Sequence, residues 1–204
     1  MSEATPRTRR AKVIRYAKRA VDDQPELDAI LRDGLVAHVG FAEGDQPFVI
    51  PMTYLYRGGR LFLHGSRGSR ALKHLGSGAP VCVTVTMLDA LIASKAASSH
   101  SMNYRSVVVF GRGKPVRSHA AAVELSHAII ARYFPDREAG EAYRPVQDDE
   151  LKSARFVEIA IEEMSGKRRT GGPINELDSD PDAIGWNGVL PVPAAGRTHR
   201  GAPG

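Results

Sequence analysis

With 204 residues, 42% of them hydrophobic and 25% charged, the chain has the composition of one globular domain with room for a single sizeable core. No stretch approaches the roughly 20 consecutive apolar residues of a membrane helix. Met1 to Arg10 carries Arg7, Arg9 and Arg10 with no apolar run behind them, which argues against a secretory signal and for a cytoplasmic location. The formal net charge of +5 is concentrated between Arg7 and Arg19 and again in Lys167 to Arg169. No helix-turn-helix spacing, zinc-ligand cluster or aromatic RNA-binding signature accompanies that charge, so it reads as solvated arms and gives nucleic acid no support. Cys82 is the only cysteine, which excludes an intramolecular disulfide; its alternating apolar surroundings suit a buried structural thiol.

The first element is a helix over Pro25 to Arg32, with Pro25 suited to its first turn and Gly34 to its end. Strands follow at Leu35 to Phe41 and, beyond the turn Glu43-Gly44-Asp45, at Phe48 to Tyr56. Gly58-Gly59 makes a hairpin into Arg60 to His64. Ser66 is placed to cap a helix from about Gly68 to Leu75. Val81 to Leu88 is the clearest strand, and Leu91 to Ala97 and Ser106 to Gly111 supply two more around a polar insert, Ser98 to Arg105. Apolar residues at helical spacing, Ala122, Leu125, Ile129 and Tyr133, predict a helix over His119 to Phe134, and Phe156 to Glu162 alternates as a last strand. The hairpins favour an antiparallel sheet with flanking helices, and closing that sheet as a barrel would remove its edges. Beyond Ser165 the pattern falls away, and only Trp186 to Pro191 is suited to docking.

The segment His64-Gly65-Ser66-Arg67-Gly68-Ser69-Arg70-Ala71-Leu72-Lys73 runs from a strand end into a helix start, where free backbone N–H groups favour an anion. Ser66 and Ser69 add hydroxyls, Arg70 a bidentate fork, and Lys73 an ammonium one turn on. A phosphate site and a capped surface helix with solvated basic residues both satisfy that pattern. The Gly-Lys-Ser/Thr ending of a Walker loop is missing.

Four stretches come in a recognisable order: Pro51-Met52-Thr53-Tyr54; His64 to Leu75; Val81-Cys82-Val83-Thr84-Val85-Thr86; and His100 to Gly111. With Trp186-Asn187-Gly188-Val189-Leu190-Pro191 they resemble the pyridoxamine 5'-phosphate oxidase-like FMN-binding proteins, in particular the nitroimidazole-resistance-like branch. The likeness runs from about Gly34 to Pro191. It implies a mainly β fold with flanking α, an antiparallel split β-barrel of the FMN-binding type, working as a homodimer with two flavin sites lined by both subunits. The chain then divides into a basic N-terminal arm (1–24), a flavin-binding barrel (25–165) and an extended C-terminal arm (166–204) with a docking segment at 186–191.

Carried over by position, the resemblance puts Val49, Ile50, Pro51, Met52 and Thr53 along the flavin ring and Ser66, Ser69, Arg70 and Lys73 near its phosphate, with His64 and Gly65 also among the cofactor-binding residues. Asn103, Tyr104, Arg105 and Ser106 would approach from the partner chain or cover the cofactor's edge, and Trp186 would stack on the pocket or simply clip the arm. Relatives in this branch carry an aromatic and two adjacent histidines where this chain has Ser98-Ser99-His100, so a shared role for a histidine pair does not carry over.

No nucleophile elbow, zinc helix or nucleophilic cysteine is present, and a flavin needs none, because it brings the redox chemistry itself. His64 is the candidate catalytic residue: it either faces the flavin as proton donor or substrate ligand, or caps and orders the anion loop. The expected activity is that of an FMN-dependent oxidoreductase on a small molecule, a nitro group or a pyridoxamine phosphate. The alternatives are the deazaflavin F420, haem with His64 or His100 as axial ligand, and a flavin-binding module without catalysis.

Overall fold

The structure, a computed structural model, describes residues 8 to 193. In chain order the elements are β1 (Ala20–Val21), α1 (Gln24–Asp33), β2 (Ala37–Glu43), β3 (Gln46–Met52), β4 (Tyr54–Arg57), β5 (Arg60–Ser66), α2 (Arg70–Leu75), β6 (Pro80–Ala93), β7 (Ser101–Pro115), α3 (His119–Tyr133), α4 (Asp148–Ser153), β8 (Ala154–Arg169) and β9 (Gly188–Pro191). Local chemistry accounts for several boundaries. Asp23 caps α1 by accepting from the Glu26 amide at 3.0 Å, and Pro25 sits in its first turn. Gly58 and Gly59 both take positive φ, 58° and 70°, which lets a two-residue turn join β4 to β5 with the twist a hairpin needs.

The sheet runs in the order β3-β2-β6-β7-β8-β5-β4, with β1 added to β8 and β9 to β6, and every strand pair is antiparallel. β3 and β4 stand at opposite ends of that order, yet only Thr53 separates them in sequence. The sheet therefore curls until its two edges meet at Thr53 without pairing there: an antiparallel barrel, split at one seam. One cluster fills it, with Val39, Leu61, Leu63, Val83, Val85, Val107, Val109, Val157 and Ile159 from the strands and Leu27, Ile30, Leu31, Leu72 and Leu75 from α1 and α2. Each such side chain contributes about 1.5 to 3 kcal/mol when removed from water. A second cluster lies outside the barrel, where Leu125 and Ile129 of α3 cover Leu55, Phe62 and Phe156.

Several expected boundaries change. The single strand expected over Phe48 to Tyr56 is two, because the buried Tyr54 turns inward, its hydroxyl 2.6 Å from the Leu31 carbonyl, and starts the opposite edge of the sheet. The strands expected at Val81 to Leu88 and Leu91 to Ala97 are one, β6, continuous through a bulge at Asp89. The polar insert Ser98 to Arg105 is mostly strand, since β7 begins at Ser101. The helix capped by Ser66 begins only at Arg70, with Ser69 as its cap, so Ser66 serves instead to hold the Gly68 amide at 3.2 Å.

Order also persists beyond Ser165. β8 continues to Arg169, where its partner β7 still pairs with it, and Asp178 fastens the following segment to the barrel through Ser94 Oγ (3.0 Å) and the Lys95 amide (2.8 Å). At the other terminus the exposed Arg10 is paired with Glu162 and Glu163 at 2.9 and 2.7 Å. Arg7 and the chain after residue 193 lie outside the described residues. Among the described residues no helix is long and apolar enough to cross a membrane.

Candidate functional site

β3 is an edge strand, paired only with β2, and it presents Val49 and Ile50 outward, 63% and 38% exposed. Pro51 and Thr53 are exposed as well, whereas Met52 packs toward the barrel core. An aromatic stack brings the anion loop beside this edge. Phe41 of β2 lies 5.3 Å from the ring of Phe48 on β3 and 4.8 Å from that of His74 on α2, so α2 is seated against the β2–β3 hairpin.

Arg70, the first residue of α2, lays its guanidinium 4.9 Å above the Phe48 ring, with Nε 3.9 Å from the Glu43 carboxylate. That single long ion pair on an exposed side chain is weak. Ser66, Arg70 and Lys73 are exposed, and Lys73 has no partner among the described residues. α2 has only six residues, so the expected dipole contribution of its N-terminus is minor, and an anion there would depend on the side chains. Ser69 Oγ accepts from the Leu72 amide at 3.4 Å, which leaves its proton free to donate.

His64 stands on the outer face of β5, its ring stacked on Phe156 of β8 at 5.7 Å. Burial holds its imidazole below the usual histidine range, so it is neutral at pH 7. Its Nδ1 is buried with no hydrogen-bond partner among the described residues, so no bond from His64 to the anion loop supports the capping role.

The remaining expected residues lie elsewhere. On β8, Ser66 pairs opposite Ala154 and Tyr104, through β7, opposite Arg169, so about 50 Å of strand contour separates the two groups at roughly 3.3 Å per residue. Within one chain Asn103 to Ser106 do not approach the 64–73 loop. Three of them are also engaged locally. Asn103 is buried, donating to the Gly171 carbonyl at 2.9 Å and accepting from Arg169. Arg105 forks onto Asp89, the bulge residue of β6, at 2.7 and 3.1 Å, and that carboxylate raises its already high pKa. Ser106 donates to the Lys167 carbonyl at 3.3 Å. Trp186, 63% exposed, is at this same far end, just before β9 docks on Ala90 to Ala93. His100 is exposed there too, its Nδ1 3.3 Å from the Ala96 carbonyl.

Sequence reasoning missed Asp178 and Asp89, and it missed a cavity of about 530 Å³ between α3, α4 and the start of β8. The Asn175-x-x-Asp178 spacing is a capping-box signature and was the available signal for the first. Nothing local marks the cavity, because its walls come from residues 67, 115–122 and 148–156.

No curated protein matches the chain. Among solved structures, a flavocytochrome, Anf3 from Azotobacter vinelandii, is 32% identical, with a TM-score of 0.81 over 91% of this chain and 85% of that one. An FAD and haem binding protein from Mycobacterium smegmatis is 30% identical, with a TM-score of 0.76 over 85% and 84%. A candidate 5-nitroimidazole antibiotic resistance protein from Bacteroides thetaiotaomicron, at 19% identity and a TM-score of 0.61 over 72% and 85%, shares the fold. The family model described as pyridoxamine 5'-phosphate oxidase matches residues 23–168. That span is most of the barrel, from the cap of α1 to the penultimate residue of β8, and on it the chain belongs to the pyridoxamine 5'-phosphate oxidase family.

Proposed function

We propose that the protein is a flavin-dependent oxidoreductase acting on a small molecule as a homodimer, with the flavin along the outer edge of β3 and its phosphate on Ser66, Ser69, Arg70 and Lys73. The observation that carries this reading is the approach of Arg70 to β3, which puts a phosphate-type donor set beside the strand edge that would lie along the ring. Two hydroxyls, a guanidinium and an ammonium, nearly free of competing acids, fit a phosphate. The bound flavin would supply hydride or electron transfer, and the chain's part is binding, orientation and electrostatics. His64 offers a neutral imidazole one residue before the loop.

The relatives at 30% identity or more, one named a flavocytochrome and the other an FAD and haem binding protein, support a flavin. FMN is the expected form. FAD shares its ring and first phosphate, and the mass of the flavin released on heating tells the two apart. A homodimer is part of this reading: residues 64–73 stand far from 103–106 and Trp186 in one chain, and a two-fold partner could bring its far end to this chain's loop.

The deciding experiment is titration with FMN and riboflavin, followed by flavin fluorescence. Arg70→Ala should weaken FMN by about ten- to a hundredfold, the value of a charge-assisted hydrogen bond of roughly 1.5 to 3 kcal/mol, and leave riboflavin nearly unchanged. Equal losses for both ligands would place the phosphate elsewhere. A second reading, haem with His64 or His100 as axial ligand, is supported by the haem in one relative's name; neither histidine lines the cationic cavity under α3, which would hold only the propionates.

A further inference from the structure

Arg67, Arg117, Lys152 and Arg155 all line the cavity between α3, α4 and the start of β8. None of the four forms an ion pair among the described residues. Asp148, the one acid in the wall, is already 2.9 Å from His119 Nε2. Arg155 Nε is buried without a partner. The floor is apolar: Val116, Ala122, Leu151 and Phe156, the last packed in the cluster under α3. At about 530 Å³ the space lies within the roughly 300 to 1,000 Å³ of small-molecule pockets.

A surface that gathers four cations around an apolar floor is not explained by folding. Like charges at close range repel, and among the described residues the one hydrogen bond from these four side chains, Arg67 Nη1 to the Lys152 carbonyl at 3.5 Å, leaves the other donors open. We propose that this cavity binds an apolar organic acid, its acidic groups on Arg117 and Lys152 at the rim and its body on Val116, Ala122, Leu151 and Phe156. An anion there would neutralise the cluster and give the open guanidinium donors acceptors. Two sources share this chemistry: haem, through its propionates, which rests on the second reading above, and a small apolar acid. The cavity adjoins the proposed flavin phosphate site through Arg67 of the 64–73 loop, but none of the residues proposed to hold that phosphate lines it.

Two probes read the cavity in the full-length protein: 8-anilinonaphthalene-1-sulfonate by fluorescence, and haemin by its Soret band. Saturable one-to-one binding of the sulfonate, weakened at least about tenfold in an Arg117→Glu/Lys152→Glu double variant and unchanged in Arg70→Ala, is expected. Both substituted side chains are exposed, and circular dichroism would verify the variant's fold. Haemin that binds one-to-one, displaces the sulfonate and is lost in the double variant identifies haem as the source. A sulfonate that binds but is not displaced identifies a small acid. Failure of both probes to bind, or wild-type affinity in the double variant, overturns the proposal, and neither result bears on the flavin, whose test is Arg70→Ala.

Discussion

His64 carries two observations that point the same way: a buried Nδ1 without a partner, and a ring laid on Phe156. Desolvation disfavours its charged form, so its folded-state pKa lies below the ordinary 6.5. Below pH 6.5 the unfolded chain then binds more protons at this residue than the folded chain, and stability falls as the pH falls. The contribution is fully present above 6.5 and is lost below it. In urea titrations at pH 7.5 and 5.5 the wild type should lose more stability than His64→Phe, which keeps the stacked ring but cannot titrate. Parallel losses would mean that His64 protonates freely in the folded state. The sequence put His64 at the end of its strand, whereas β5 runs on to Ser66; its neutrality was not legible either, because that depends on Phe156, distant in sequence and brought alongside by the β5–β8 register.

Among the elements, the long strands β7 and β8 form the spine, and they twist about a bulge between Phe110 and Gly111. At that point the two backbones come so close that a Cβ on Gly111 would lie 2.1 Å from the Ala160 carbonyl oxygen. Backbone on both sides cannot give as a flexible side chain can. Gly111→Ala should therefore cost about 1 to 3 kcal/mol, a drop of several degrees in melting temperature, while Gly172→Ala, with nothing within 4 Å, should melt within about a degree of wild type. Equal melting of the two variants would show that the ladder relaxes around the extra methyl. Most elements were legible because their signals are local: Pro25 and Gly34 for α1, the glycine pair for the β4–β5 turn, 3.6-residue spacing for α3. β1 and α4 were missed, being two and six residues long. Splitting β6 at Asp89 was an error of the same kind, since a bulge interrupts the alternation without ending the strand.

For the whole molecule, the far end of the barrel exposes apolar residues in a continuous row. Leu91 of β6 pairs with Met102 on one side and Leu190 on the other, and all three are 45% to 49% exposed, beside Leu88, Val189 and Trp186. Contiguous exposed apolar surface occurs at protein–protein, membrane and ligand-binding sites, and the proposed homodimer would use this row. With a second copy of the chain there, light scattering should give a dimer at micromolar concentration, and Leu91→Lys should shift it toward monomer and weaken FMN together. A wild-type monomer that still holds FMN tightly would remove the two-chain site. Sequence by itself determined what local chemistry determines: the main helices, hairpins, the antiparallel β class, and the residue types of an anion loop. The resemblance extended that to the split barrel. Only the tertiary structure decided that Thr53 joins opposite edges of one sheet, that Arg70 lies over Phe48 while Asn103 to Ser106 stand at the other end, and that four cations from distant segments share one cavity. The physical reason is register: side-chain periodicity says which residues face a core, but partners distant in sequence meet only through strand pairing and curl, which no local signal encodes.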